Sequence, residues 1–262
     1  MFHSPLQSKD RGCCTYNILK VRLILLTQPI HHIESILMKG HLSNRTAHFL
    51  EVALRSQVNM IIIGERVDAK LPLLAILGNQ IPLSEKVIVL QDERALEIDR
   101  MMTPIWSATS REDKQKLMKA AISMNSNRIL LSELRGGEVE DYIDGVMQHL
   151  QGSITTFVAR DSEHTVDRLV NLMMKPTLPN SPGMENLIPS IVASFAELVI
   201  RVAGNESNWE VKDLTEVTLG PKLEIIHRPI MVNEGEKENW NTEYPKFDIK
   251  RKQKRIKSKW FI

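Results

Sequence analysis

Apolar residues from Tyr16 to Leu26 first alternate with polar ones and then run together (YNILKVRLILL), which predicts a strand. Pro29 and residues 31–40 predict a turn and a short helix. Ser43 can cap a helix running to about Gln57, with Ala47, Leu50, Ala53 and Leu54 on one face. Asn59 to Ile63 is a short apolar run stopped by Gly64, the mark of a buried parallel strand.

The alternation continues down the chain. Helices are predicted over 71–78, 112–124, 138–149 and 163–174, and strands over 86–91, 128–133 and 153–158. Pro176, Pro179 and Pro182 mark a loop. A helix near 185–195 follows, then β-rich segments at 197–202, 209–217 and 223–227. Strand and helix at this spacing imply βαβ units, hence an α/β fold with a mainly parallel sheet flanked by helices and a small β-rich C-terminal part.

Composition narrows the class. The 262 residues are 42% hydrophobic and 25% charged, which suits a globular chain and argues against disorder. Thirty-four basic against 32 acidic residues leave only +2, so no global charge selects a partner. Both cysteines, Cys13 and Cys14, are adjacent, which fits a reducing cytoplasmic setting and gives no zinc site. No apolar stretch approaches the ~20 residues of a membrane span. The first residues lack the apolar core of a signal peptide.

Strand, glycine, lysine and helix in that order form the layout of a phosphate-binding loop. The strict pattern is Gly, four residues, Gly-Lys, then Ser or Thr. Here Gly64 and Lys70 are in place, while Ala69 stands at the second glycine and Leu71 at the hydroxyl. A glycine and a lysine at this distance are common by chance.

Longer segments are more specific. Residues 127–174 (NRILLSELRGGEVEDYIDGVMQHLQGSITTFVARDSEHTVDRLVNLMM) resemble the core of the type II/IV secretion ATPases, especially the Tad-pilus and conjugation branch. FLEVALRSQVNMIIIGERVDAKLPLLAIL resembles that family's Walker A region, and KVIVLQDERALEID the acidic box after it. The stretch closing on Thr215-Glu216-Val217 resembles the family's C-terminal part. These segments agree in order with the family's, and the resemblance covers roughly Tyr16 to His227.

The resemblance implies a RecA-like P-loop NTPase fold over 16–232, after a disordered lead-in at 1–15 and before a basic tail at 233–262. It implies Gly64, Lys70 and Arg128 as nucleotide-binding positions, Glu133 as the Walker B carboxylate and Asp92 as the acidic-box position. ATP and Mg²⁺ are the implied cofactors. The implied partners are secretion or pilus machinery subunits, namely a full-length ATPase and an inner-membrane platform, in a homo- or hetero-oligomeric ring.

The departures bear on chemistry. The glutamate expected before Asp92 is Gln91, and an amide cannot act as a general base at neutral pH. The family's histidine after Thr-Thr is Val158, and Arg160 replaces an asparagine. Leu71 offers no oxygen to Mg²⁺. Ala69 adds a Cβ where a P-loop backbone approaches phosphate closely. Glu65 and Asp68 place carboxylates in a loop that must receive anions. One such contact at ~4 Å costs about 4 kcal/mol at an effective dielectric near 20, which Arg66 offsets in part. Pro72 prefers the first helical position and so predicts a helix start near Leu71, late for the phosphates. Only about fifteen residues precede the matching region, where the family carries a substantial domain. Together these features suggest a degenerate, N-terminally shortened paralogue that is inactive or binds nucleotide weakly.

The remaining signals are plainer. His31, His32, His41, His48, His149 and His164 show no ligand spacing, so packing or exposure is expected of each. The segment IKRKQKRIKSKWFI carries seven Lys or Arg between Lys250 and Lys259. A solvated helix explains it first and an anionic membrane surface or partner second. Nucleic acid comes last, since no recognition motif accompanies the charge.

Overall fold

The computed structural model describes residues 41–92, 96–100, 102–136, 138–148, 150–173, 187–235, 237–241 and 245–254. The predicted strand at 16–26, the helix at 31–40, the lead-in, the proline loop and the last residues of the tail lie outside these.

Ser43 caps α1 (Asn44–Arg55) by accepting from the Thr46 amide. Strand β1 (Met60–Gly64) is buried throughout and leads to α2 (Val67–Gln80). Then come β2 (Val87–Gln91), β3 (Ile105–Ser107), α3 (Arg111–Ser123), β4 (Arg128–Leu131), α4 (Glu138–Gln148), β5 (Ile154–Val158) and α5 (Ser162–Met173). After α6 (Ile188–Phe195) the chain turns to β6 (Leu198–Gly204), β7 (Trp209–Leu219), β8 (Ile225–Asn233) and β9 (Glu238–Trp240), and then to α7 (Pro245–Gln253).

The strands form one sheet in the order β3-β2-β4-β5-β1-β6-β7-β8-β9. Pairing is parallel from β3 through β6 and antiparallel from β6 to β9. The sheet is thus parallel from β3 to β6, as the alternation predicts, and the β-rich C-terminal part continues it rather than standing apart.

Strand periodicity divides the core. Met60 and Ile62 of β1, Val87 and Val89 of β2, and Leu198 and Ile200 of β6 pack with α1, α2 and Phe247 of α7. Ile61 and Ile63, Ile88 and Leu90, and Val199 face the other way, towards α3, α4, α5 and α6. The sheet is therefore covered on both faces, which is why its parallel strands read as continuous apolar runs.

Two regions depart from expectation. Helix α2 begins at Val67, not near Leu71. Ala69 and Lys70 are good helix formers, and Asp68 sits favourably in the first turn, where it accepts from Arg66 at 2.6 and 3.0 Å. Pro72 lies inside the helix, which gives up one amide there but buries Leu73, Leu74, Ile76 and Leu77 beyond it. In the second region, the described residues after 232 continue to pack on the domain. β9 pairs with β8, and its Glu238 accepts from Ser43 at 2.7 Å and Thr46 at 2.8 Å at the N-terminus of α1. Phe247 of α7 is buried with its ring 4.7 Å from that of Phe49. The first part of the basic segment is packed onto the domain.

Candidate functional site

The carboxyl ends of β1, β2, β4 and β5 converge, as parallel strands must, and α2 starts beside them. Gly64 closes β1. A Cβ there would lie 2.6 Å from the Val202 carbonyl, so this glycine is required by the approach of β6. Only Glu65 and Arg66 separate β1 from α2.

Lys70 lies one turn into α2 and is fully buried. Its Nζ donates to the Phe157 carbonyl at 3.0 Å and is 4.0 Å from Glu133 Oε1. Burial pulls the lysine pKa down to about 8. Glu133 opposes that shift, and the Arg135 and Arg168 cations add to it.

Glu133 follows β4 and is nearly buried. Arg135 Nε donates to its Oε2 at 2.6 Å, and Arg135 Nη2 lies 3.2 Å from Asp92 Oδ2. The other Asp92 oxygen pairs with Lys114 of α3. The Asp92 amide donates to Ser132 Oγ at 3.0 Å, which ties the end of β2 to that of β4. The Arg135 amide in turn donates to Glu138 at 2.6 Å, at the start of α4.

These groups border a cavity of about 370 Å³ lined by Val67, Leu71, Asp92, Thr109, Lys114, Ser132, Glu133 and Arg135. Lys70 is not among its lining residues. Gln91 points elsewhere, its amide donating to Ser107 Oγ at 3.0 Å and its carbonyl accepting from the Leu96 amide at 2.8 Å.

Of the predicted positions, Gly64, Lys70, Glu133 and Asp92 come together. Arg128 does not join them. It sits at the opposite end of β4, about 16 Å away at ~3.3 Å per residue. There it donates to Glu85 at 2.6 and 2.7 Å and to the Leu54 carbonyl at 2.9 Å. Lys114 and Arg135 went unrecognised. Arg135 could have been found as a cation two residues past Glu133, whereas nothing in the sequence distinguishes Lys114 from its helical neighbours.

The residues do not fit Mg-ATP. The connection from β1 to α2 is too short to wrap a triphosphate, the Lys70 ammonium is already bonded inward, and Leu71 presents carbon to the cavity.

No protein-family model matches the chain. It is 28% identical over 178 residues to the type IV secretion system protein PtlH of Bordetella pertussis, covering 63% of this chain and 52% of that protein. It is 25% identical over 191 residues to the type IV secretion system protein VirB11 of Bartonella henselae, covering 71% of this chain and 53% of that protein. The chain thus spans about half the length of these curated relatives. Among solved structures, the VirB11 ATPase of the Brucella suis type IV secretion system, in complex with sulphate, superposes with a TM-score of 0.56. The identity is 20%, and the match covers 80% of this chain and 65% of that one. The α/β fold is therefore that of the secretion ATPases, and the chain is related to type IV secretion system proteins.

Proposed function

From a chain related to type IV secretion ATPases, we propose a protein that keeps the motor fold without the motor's chemistry and associates with a bacterial secretion machine. The observation that carries this reading is the Lys70 ammonium, held by the Phe157 carbonyl and Glu133 instead of facing the cavity. Phosphoryl transfer depends on positioning and electrostatic stabilisation, and a lysine turned inward supplies neither to a γ-phosphate. Gln91 adds to this, because its amide is engaged with Ser107 and Leu96 and it has no carboxylate to activate water.

The proposed partners are the subunits of such a machine, with a full-length secretion ATPase as the first. The proposed place is the cytoplasm, at the inner face of the membrane. Among the described residues no helix is long and apolar enough to cross a membrane.

The purified chain should hydrolyse Mg-ATP no faster than its Lys70→Ala variant in a phosphate-release assay. Turnover that needs both Mg²⁺ and Lys70, clearly above that control, would favour an active ATPase and overturn this reading.

A further inference from the structure

The four oxygens of the two carboxylates in the site are each faced by a cation of the chain itself. Lys70 faces Glu133 Oε1 at 4.0 Å, and Arg135 faces Oε2 through Nε at 2.6 Å. Lys114 pairs with Asp92 Oδ1, and Arg135 Nη2 reaches Oδ2 at 3.2 Å. One guanidinium therefore spans the ends of β2 and β4. Its planar fork of donors allows this, whereas a single ammonium could not serve both carboxylates so well.

That span is the place a divalent cation would need. Mg²⁺ asks for six oxygens in near-octahedral array at ~2.0–2.1 Å, and it is held through carboxylates and hydroxyls. Here both carboxylates are paired, Ser132 Oγ already accepts from the Asp92 amide, and Val67 and Leu71 offer only carbon, which leaves Thr109 as the other hydroxyl of the lining. An entering ion would also meet three fixed positive charges. Lys70 cannot swing aside, because it is buried and bonded to Phe157.

We propose that Arg135 stands in for the divalent cation, bridging Glu133 and Asp92 so that the site keeps its form without metal. This rests on the reading above but concerns metal rather than turnover. What decides it is the pairing of the carboxylates together with the missing oxygen at Leu71. The arginine belongs to the stretch that resembles the secretion ATPases. The new circumstance is Leu71, which removes the oxygen that would help an ion compete with it.

The test is thermal denaturation of the full chain, without nucleotide, in EDTA and then in millimolar Mg²⁺ or Mn²⁺. The wild-type melting temperature should be the same in all three. Arg135→Gln should melt lower in EDTA, by roughly 2–4 °C for each kcal/mol lost in a domain of this size. It should then regain part of that loss with Mn²⁺, because one oxygen of Glu133 and one of Asp92 have been vacated. Adding Asp92→Asn to it should abolish the metal response. Arg135→Lys should bind metal more weakly than Arg135→Gln, and it serves the same purpose if the glutamine variant does not fold.

A wild-type protein stabilised by either metal alone would overturn the proposal, as would an Arg135→Gln variant indifferent to both. The two readings fail separately. Metal-dependent ATP turnover by a chain that metal alone does not stabilise would sink the inactive reading and leave the bridge intact. Stabilisation by metal without turnover would do the reverse.

Discussion

At the amino ends of the parallel strands, Arg128, Asn59 and Glu197 are bonded to backbone and to fixed partners. At the carboxyl ends, Lys70, Glu133, Arg135, Asp92 and Lys114 crowd around a cavity of about 370 Å³. Both ends bury charge, but they spend it differently. The Arg128 guanidinium holds Glu85 bidentately and also the Leu54 and Gly152 carbonyls. Burial pushes the Glu85 carboxyl up, yet Arg128, joined by the Gln57 amide and the Lys254 charge, holds it below the usual range. Asn59 accepts from the Gly152 and Ser153 amides and passes its own amide to Glu197. At the carboxyl ends the partners are side chains only, apart from Phe157, and they leave space. Open α/β sheets bind ligands at the carboxyl end, so the amino end is free to be a fastening.

The largest expected effect is at that fastening. Arg128→Ala should destabilise the chain by about 3–5 kcal/mol in urea denaturation, because it takes the guanidinium from Glu85 and a buried donor from the Gly152 carbonyl. A loss below about 1 kcal/mol would mean that the two ends are not distinct in this way.

The next prediction sits at the cavity end and depends on pH. The Lys70 pKa is about 8 in the folded chain against 10.5 ordinarily, so the unfolded chain holds this proton more tightly. Below pH 8 both states are charged, and the folded one bears the full penalty of burial. Between pH 8 and 10.5 the folded state has shed the proton, so stability rises with pH across that window. Relative to Lys70→Met, the wild type should gain up to about 3 kcal/mol on going from below to above it. Parallel pH profiles of wild type and variant would place Lys70 among the fastenings.

The smallest effect belongs to α7. Lys250 pairs with Glu197 and donates to the Gln57 carbonyl at 3.1 Å, while the Phe247 amide donates to Glu216 at 2.8 Å. Lys250→Ala should cost about 1–3 kcal/mol, read as a lower urea midpoint. No change would return this segment to the solvated or docking role that its charge first suggested.

Much of the fold was legible because burial on both faces writes itself as apolar runs. MIIIG, VIVLQ and RILL need no tertiary information to be read as strands. Ser43 announced α1 through its capping chemistry. Two short elements were missed for physical reasons. β3 and β9 are three residues each, too short for a period to show, and β3 lies at an edge with Ile105 exposed. A helix was expected in the basic segment, but a solvated one, and its lysines hid the packing that Phe247 signals. Trp240 carries the Arg45 guanidinium 4.6 Å from its ring centre and donates to Glu238 at 2.9 Å.

The site was legible in part. Motif order brought Gly64, Lys70, Asp92 and Glu133 to one end, because each follows or flanks a parallel strand. Arg128 was misjudged because it opens its strand, and a motif aligned in one dimension does not say which end of a strand a residue occupies. Gly152 held the hidden evidence. It has φ +76°, and a Cβ on it would lie 2.7 Å from Arg128 Nη1, so this glycine is where the arginine fits. The start of α2 was misjudged because Pro72 was weighed alone, without the buried leucines that carry the helix past it.

The position of β1 has a kinetic consequence. Its neighbours in the sheet are β5 and β6, and Asn59 at its base is bonded to Gly152, 93 residues later, and to Glu197, 138 residues later. The middle of the sheet therefore closes only when distant parts of the chain have already met. Such topologies fold slowly, since the entropy of the intervening loops is lost before the contacts that reward it form. During that interval the apolar run Met60–Gly64 is exposed on both edges, a strand with two unsatisfied rows of amides and carbonyls. Expression at low temperature or with chaperones should raise the yield of this chain more than any change at its cavity, because the vulnerable species precedes the cavity's formation.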